Sequence, residues 1–174
     1  QVFSKNNVLW TADASWRVRP GLMVYGELLV DDFSFSSDYR PPEIGYQLGG
    51  RLSRRVGAGG AAGTRLEYTR IHDFTYSTWH HHDFEHAGMP LAYPDGPDVE
   101  RALAEIEWDR GPDWTFVLAG SRLRKGEGRL GRFWDPAQGK VDNVSLSGVV
   151  ERTWRASIAP TYRPGRHLSA VAEG

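Results

Sequence analysis

The stretch from Asn7 to Asp32 constrains this chain most, because two arms of about ten residues alternate with period two around one turn. In the first arm Val8, Trp10, Ala12, Ala14, Trp16 and Val18 alternate with Leu9, Thr11, Asp13, Ser15 and Arg17. In the second, Leu22, Val24, Gly26, Leu28 and Val30 alternate with Met23, Tyr25, Glu27, Leu29 and Asp31. No helical face fits that pattern, whereas Arg19-Pro20-Gly21 supplies a turn, since Pro presets φ and Gly tolerates a positive one. Soluble strands usually run to roughly five or six residues. Arms this long, with charge on one face and Trp at both ends of the other, suit strands crossing a bilayer at a tilt. The apolar face then meets lipid and the polar face lines a wet lumen.

The same alternation recurs near Glu43 to Val56, Ala62 to Phe74, Asp98 to Asp109, Trp114 to Lys125, Glu151 to Arg163 and His167 to Gly174. That predicts eight strands and no helix. Pro20-Gly21, the run 57–60, Gly111-Pro112-Asp113 and Pro164-Gly165 are short turns, and three long loops alternate with them. The Gly, Pro, Asp and His content of Thr75 to Pro97 predicts no regular element there. The fold expected is all-β, an antiparallel up-and-down transmembrane barrel with short periplasmic turns and long outer loops. Trp16, Trp108, Trp114 and Tyr162 stand beside the short turns, where an aromatic girdle belongs. With the short turns periplasmic, both ends of the chain fall outside, whereas complete barrels begin and end on the periplasmic side. Residues 1–174 are therefore expected to be a single segment of a larger barrel, lacking strands at both ends.

Composition removes several function classes. A net charge of −1 offers no basic field for nucleic acid. The absence of Cys leaves neither disulfides nor thiolate metal sites. No run reaches the ~18 apolar residues of a membrane helix, which leaves a barrel open because its strands bury only every second side chain in lipid.

Three groups of residues could carry chemistry. Asp13, Arg17, Glu27, Arg51, Arg65, Glu67, Glu105, Glu107 and Arg155 fall on the polar face and are predicted to line the lumen. Glu105 and Glu107 lie about 7 Å apart along one strand face, a spacing open to an inverting glycosidase. Charge pairing between neighbouring strands accounts for them more simply, and no Ser sits in a nucleophile elbow. No enzyme is expected. An Arg-lined bore selecting anionic solutes is the alternative.

The second group is His80-His81-His82 with Asp83 and His86; no further ligands at fixed spacing point to a metal, and a solvated loop is expected. The third is the aromatic content of the loops, among them Tyr39, Trp79, Tyr93 and Trp134. Such rings either stack on sugar faces beside hydrogen-bonding carboxylates and amides, or pack the loops. A soluble barrel or sandwich with its Trp-tipped faces turned inward is a third reading of the whole chain.

Five segments bear a resemblance. DASWRVRPGLMVYGELLVDDF (Asp13 to Phe33), IGYQLGGRL (Ile44 to Leu52), RLEYTRI (Arg65 to Ile71), DFEHAGMPLAYPDGPDVE (Asp83 to Glu100) and SLSGVVERTWR (Ser145 to Arg155) together resemble the capsule assembly Wzi family of outer-membrane proteins. Within the fourth, Ala92-Tyr93 stands where the family pattern has Gly-His. The resemblance implies a barrel of roughly eighteen strands, of which this chain supplies about eight. It implies a bacterial outer-membrane protein that holds capsular or exopolysaccharide at the cell surface, lectin-like and without cofactor. Its partners would be that polysaccharide, outer-membrane lipid and other export components. On this resemblance, the outer-loop residues expected to meet the glycan are Tyr39, Trp79, His80, Asp83, His86, Tyr93 and Trp134.

Overall fold

The computed structural model describes residues 9–32, 41–57, 59–77, 85, 86, 89, 90, 93–132, 134, 135, 137, 139, 141 and 145–163. Among them the period-two segments form strands: β1 (Trp10–Arg19), β2 (Leu22–Asp32), β3 (Glu43–Val56), β4 (Gly60–Ile71), β7 (Val99–Arg110), β8 (Trp114–Lys125) and β9 (Glu151–Tyr162). They pair antiparallel in the order β1-β2-β3-β4-β7-β8-β9, so each strand lies beside its sequence neighbours. No α-helix occurs among the described residues, and the sheet they form is open, with β1 and β9 at its edges. It is an up-and-down meander. The eighth predicted strand, His167 to Gly174, lies outside the described residues.

Two expectations need correcting. The fourth strand ends at Ile71 rather than Phe74. Phe74 and Tyr76 take left-handed backbone angles, φ 68° and 76°, which no strand accommodates. The loop from Thr75 to Pro97 also contains a two-residue ladder, β5 (Glu85–His86) against β6 (Met89–Pro90), where no regular element was predicted.

Register puts one set of residues on one face throughout. The row Trp16–Val24–Gly50–Leu66–Ala104–Gly120–Ala156 runs across all seven strands. A second row, Leu52–Thr64–Ile106–Leu118–Ile158, runs parallel to it across five. These apolar side chains stay open: Leu66 is 58% exposed and Ile158 73%, as is Trp154 on the same face. A water-soluble sheet buries such a face, because each exposed side chain forgoes roughly 1.5–3 kcal/mol of burial. Nothing among the described residues covers it.

The buried core sits elsewhere, at the long-loop end of the opposite face. Leu29, Ile71, Tyr76 and Val99 cluster there, with Leu9, Tyr93, Leu123 and Leu130 packed against them. Leu29, Gly45, Ile71 and Val99 stand in one row. Gly45 is needed there, because a Cβ would lie 2.6 Å from Ile71 Cδ1. At the short-turn end Gly21 has φ 80° and packs so closely on β3 that a Cβ would meet Ser53 O at 2.3 Å. Ser53 N donates to Gly21 O at 2.7 Å, tying that turn to β3.

Candidate functional site

The polar face is the complement of the apolar rows. Asp13, Arg17, Glu27, Arg51, Arg65, Glu67, Glu105, Glu107 and Arg155 all fall on it by register. Many of their charges are satisfied within the sheet. Arg65 and Glu105 stand opposite each other, with Arg65 Nη2 donating to Glu105 Oε2 at 3.3 Å. Arg51 opposes Arg65 directly, a like-charge pairing that costs stability unless each finds an acid. Arg51 Nη2 finds one at 3.8 Å in Glu107 Oε2, reaching past β4 where Gly63 has no side chain. Glu105 and Glu107 are therefore each held by an arginine. Tyr25 reaches in the same way: its ring lies over Gly49 and its hydroxyl donates to Glu67 Oε2 at 2.7 Å, joining β2 to β4.

Toward the loops the polar face opens into a cleft of about 260 Å³. Thr11, Glu27, Gln47, Thr69, Tyr76 and Tyr93 line it, above Leu29 and Ile71. Thr69 Oγ1 donates to Gln47 Oε1 at 3.1 Å, which fixes the amide. Burial raises the Tyr93 phenol above its ordinary value, against hydrogen bonding to Arg101, so it stays a neutral hydroxyl at physiological pH. The cleft thus combines two aromatic rings with a carboxylate, an amide and hydroxyls.

A knot of buried polar groups holds the loop end in shape. Asp98 is fully buried with φ 55°. Its carboxylate accepts from Gly128 N at 3.1 Å, Ser147 N at 3.1 Å and Ser147 Oγ at 2.6 Å, and faces Arg70 Nη1 at 3.8 Å. Arg70 also donates to Val99 O and Ser145 O. Tyr76 N donates to Asp31 Oδ2 at 2.5 Å, and Arg132 lies 3.4 Å from Asp73 Oδ2 with its guanidinium over the Phe74 ring. Gly126 and Gly128 permit the approach, since a Cβ on Gly126 would fall 1.9 Å from Asp98 Oδ2 and one on Gly128 2.5 Å from Asp73 Oδ1. Burial pushes the Asp73 carboxyl up, against the pull of Arg132. Burial, helped by the Arg70 charge, pushes the His72 imidazole down.

The predicted glycan-facing residues divide three ways. Tyr39, Trp79, His80 and Asp83 lie outside the described residues, as do His81 and His82. His86 is exposed in β5, and Tyr93 lines the cleft. Trp134 is a correction: it is 6% exposed, and its Nε1 donates to Gly139 O at 3.1 Å. An indole buried with its only donor satisfied packs the loop rather than presenting a face to a ligand. Sequence reasoning missed Tyr76, Asp73, Asp98 and Ser147, whose one legible trace was Gly126 and Gly128 spaced by two.

Compared with protein-family models, curated proteins and solved structures, the chain matches none. The likeness to the Wzi family therefore rests on the five segments quoted above.

Proposed function

We propose that this chain is part of the wall of a bacterial outer-membrane β-barrel whose loop end binds capsular or exopolysaccharide, as a lectin-like, non-catalytic site. The observation that carries this reading is the opposition of the two faces. One face exposes apolar side chains across seven strands, with Trp16, Trp108, Trp114 and Tyr162 near the short turns and Trp10 and Trp154 toward the loops. Aromatic bands flanking an apolar strip suit a lipid-facing wall. The other face is polar and ends, at the loops, in the Tyr76–Tyr93 cleft. Aromatic faces there can stack on the apolar side of a sugar ring, while Glu27, Gln47 and Thr69 hydrogen-bond its hydroxyls.

The test is on cells. Deleting the whole gene is expected to leave total polysaccharide unchanged while moving it from the cell surface into the medium. Unchanged retention sinks the attachment reading. Within the intact protein, Tyr93→Ala is expected to lower glycan affinity on the order of tenfold, whereas Tyr93→Phe, which keeps the ring, holds most of it. Equal retention by the two variants would show that the ring does not touch sugar.

A porin-like channel for small solutes draws on the same polar face. Against it, Arg51 and Arg65 spend their charge on Glu107 and Glu105 rather than offering it to a solute. Steady open-pore current from the complete protein in a planar bilayer would favour the channel.

A further inference from the structure

We infer that the apolar face carries, near its loop end, a site for a phosphorylated lipid, with Arg122, Arg124 and Arg152 holding the phosphate and the trough below them holding acyl chain. The inference rests on the reading of this face as lipid-facing and goes beyond it by naming a headgroup.

Register places the three arginines together. Arg122 stands between Ala102 and Trp154 in one row, and Arg124 between Glu100 and Arg152 in the next row on that face. They share that face with exposed Leu66, Ile106, Leu118 and Ile158. An arginine amid lipid-facing residues is costly unless it lies at the interface or finds an anion. Arg122 and Arg124 lie within the last four residues of β8 and Arg152 is second in β9, so all three stand at one end of the apolar band. The other end is marked on the same strand by Trp114, ten residues from Arg124, or about 33 Å along the strand. At a strand tilt of about 40° that is about 25 Å of height, close to the apolar band on membrane barrels.

Charge at the cluster is not balanced by the wall. Arg124 Nη1 donates to Glu100 Oε2 at 2.7 Å, leaving one carboxylate among three guanidiniums. Arg124 and Arg152 oppose each other directly, which is unfavourable without an anion between them. Arg152 is exposed, and Arg122 lies 5.4 Å over the Trp154 ring with its Nε hydrogen-bonded to nothing. Stacking fixes the plane of that guanidinium and leaves its terminal nitrogens to bind oxyanions in a fork. Below it, Ala102, Ala104, Gly120 and Ala156 replace bulky side chains with a shallow trough of about 1050 Å³, bounded by Leu48 and Leu66. Small residues at that depth leave room for an acyl chain, and phosphate at the arginines places the rest of the lipid over the trough. Charge complementarity and the trough together select a phosphorylated lipid over a free anion or a protein.

The test uses the complete protein in nanodiscs of phosphatidylcholine mixed with phosphatidylglycerol, with lipids retained after detergent extraction identified by native mass spectrometry. Retained lipid is expected to be enriched in phosphatidylglycerol over the bulk mixture. R122Q and R152Q are each expected to lower that enrichment about fivefold, and R129Q, which removes an exposed loop arginine off this face, to leave it unchanged. Heat-modifiable migration of each variant shows that it has folded. Normal insertion with no preference between the two lipids overturns the inference while leaving the barrel reading standing. Failure to insert into any bilayer overturns both. Binding of inorganic phosphate with no lipid retained overturns the lipid assignment, as does equal enrichment in the variants.

Discussion

The two ends of the sheet solve chain reversal by opposite means. At the short-turn end two or three residues suffice: Gly21, Gly57, Gly59 and Gly111 supply the positive φ, and rings stack beside them. Trp108 lies 5.6 Å from Phe116, Phe116 5.8 Å from Trp114, and Trp114 4.7 Å from Tyr162, centroid to centroid. At the loop end Gly96, Gly131, Gly139 and Gly148 take positive φ as well, but so do Phe74, Tyr76 and Asp98, none of them glycine. Each such residue costs on the order of 1–3 kcal/mol unless its surroundings hold it. The surroundings there are the buried carboxylates and the chain segments they collect. A cheap turn needs only local chemistry, whereas a strained one needs tertiary partners.

The comparison breaks most directly at Asp98. Asp98→Ala is expected to cost about 3–5 kcal/mol, because Arg70 stays buried with one fewer counter-charge and Gly128 N and Ser147 lose their acceptor. Protease cleavage in the loops should rise sharply while strand signal in circular dichroism holds. Parallel loss of both would mean that wall and knot are one cooperative unit.

Acid should loosen the same end more gently. His72 resists protonation when folded, so the folded state binds fewer protons than the unfolded one below the ordinary 6.5. Stability conferred by the neutral ring is complete above 6.5 and is lost as pH falls toward the lowered folded value, by at most about 1.4 kcal/mol per pH unit. Asp73 works in the opposite direction: its raised value favours the folded state at low pH, an advantage lost as pH rises from its ordinary 3.8 through the folded value. Loop proteolysis should therefore accelerate just below pH 6.5. A His72→Asn variant with the same profile would remove the imidazole from the explanation.

Within the wall the effects are smaller. Tyr25→Phe removes one partly buried hydrogen bond to Glu67 and is expected to cost about 1 kcal/mol in a urea titration of the complete protein in vesicles. Arg51→Gln should cost less still, roughly 0–1 kcal/mol, since the pair with Glu107 is more than a third exposed on both sides. A loss above that of Tyr25→Phe would show that the polar face is drier than its exposure implies.

This contrast also explains what could be read from sequence. The seven strands were legible because period-two alternation survives in every one of them, even through Arg54, Gly63 and Gly120, where the side chain breaks the pattern of its face. The end of β4 was not legible. Ile71-His72-Asp73-Phe74 continues to alternate, yet the ladder stops at the Ile71–Val99 pair, beyond which Asp98 on the facing segment and Phe74 both take left-handed angles. Trp134 sits in a polar stretch that reads as surface, yet the carbonyl of Gly139 gives its indole a partner and lets it bury. Asp98 looks like a turn residue after Gly96-Pro97, and its partners Gly128 and Ser147 stand 30 and 49 positions away. Of the cleft, Tyr93 was legible as a loop aromatic. Tyr76 was not, because its place depends on an amide bond to Asp31, 45 positions earlier.

The ring of Tyr25 lying over Gly49 to meet Glu67 has a consequence for how the wall assembles. A hairpin that slips by one residue exposes its error at once, because every side chain changes face. A slip of two residues keeps both faces intact and passes that check. Sliding β3 by two against β2 would bring Gln47 or Arg51 beneath the Tyr25 ring in place of Gly49. Neither leaves room for the ring to lie flat, and the hydroxyl would lose the carboxylate two strands away. One tyrosine and one glycine thus proofread the error that hydrophobic alternation cannot see.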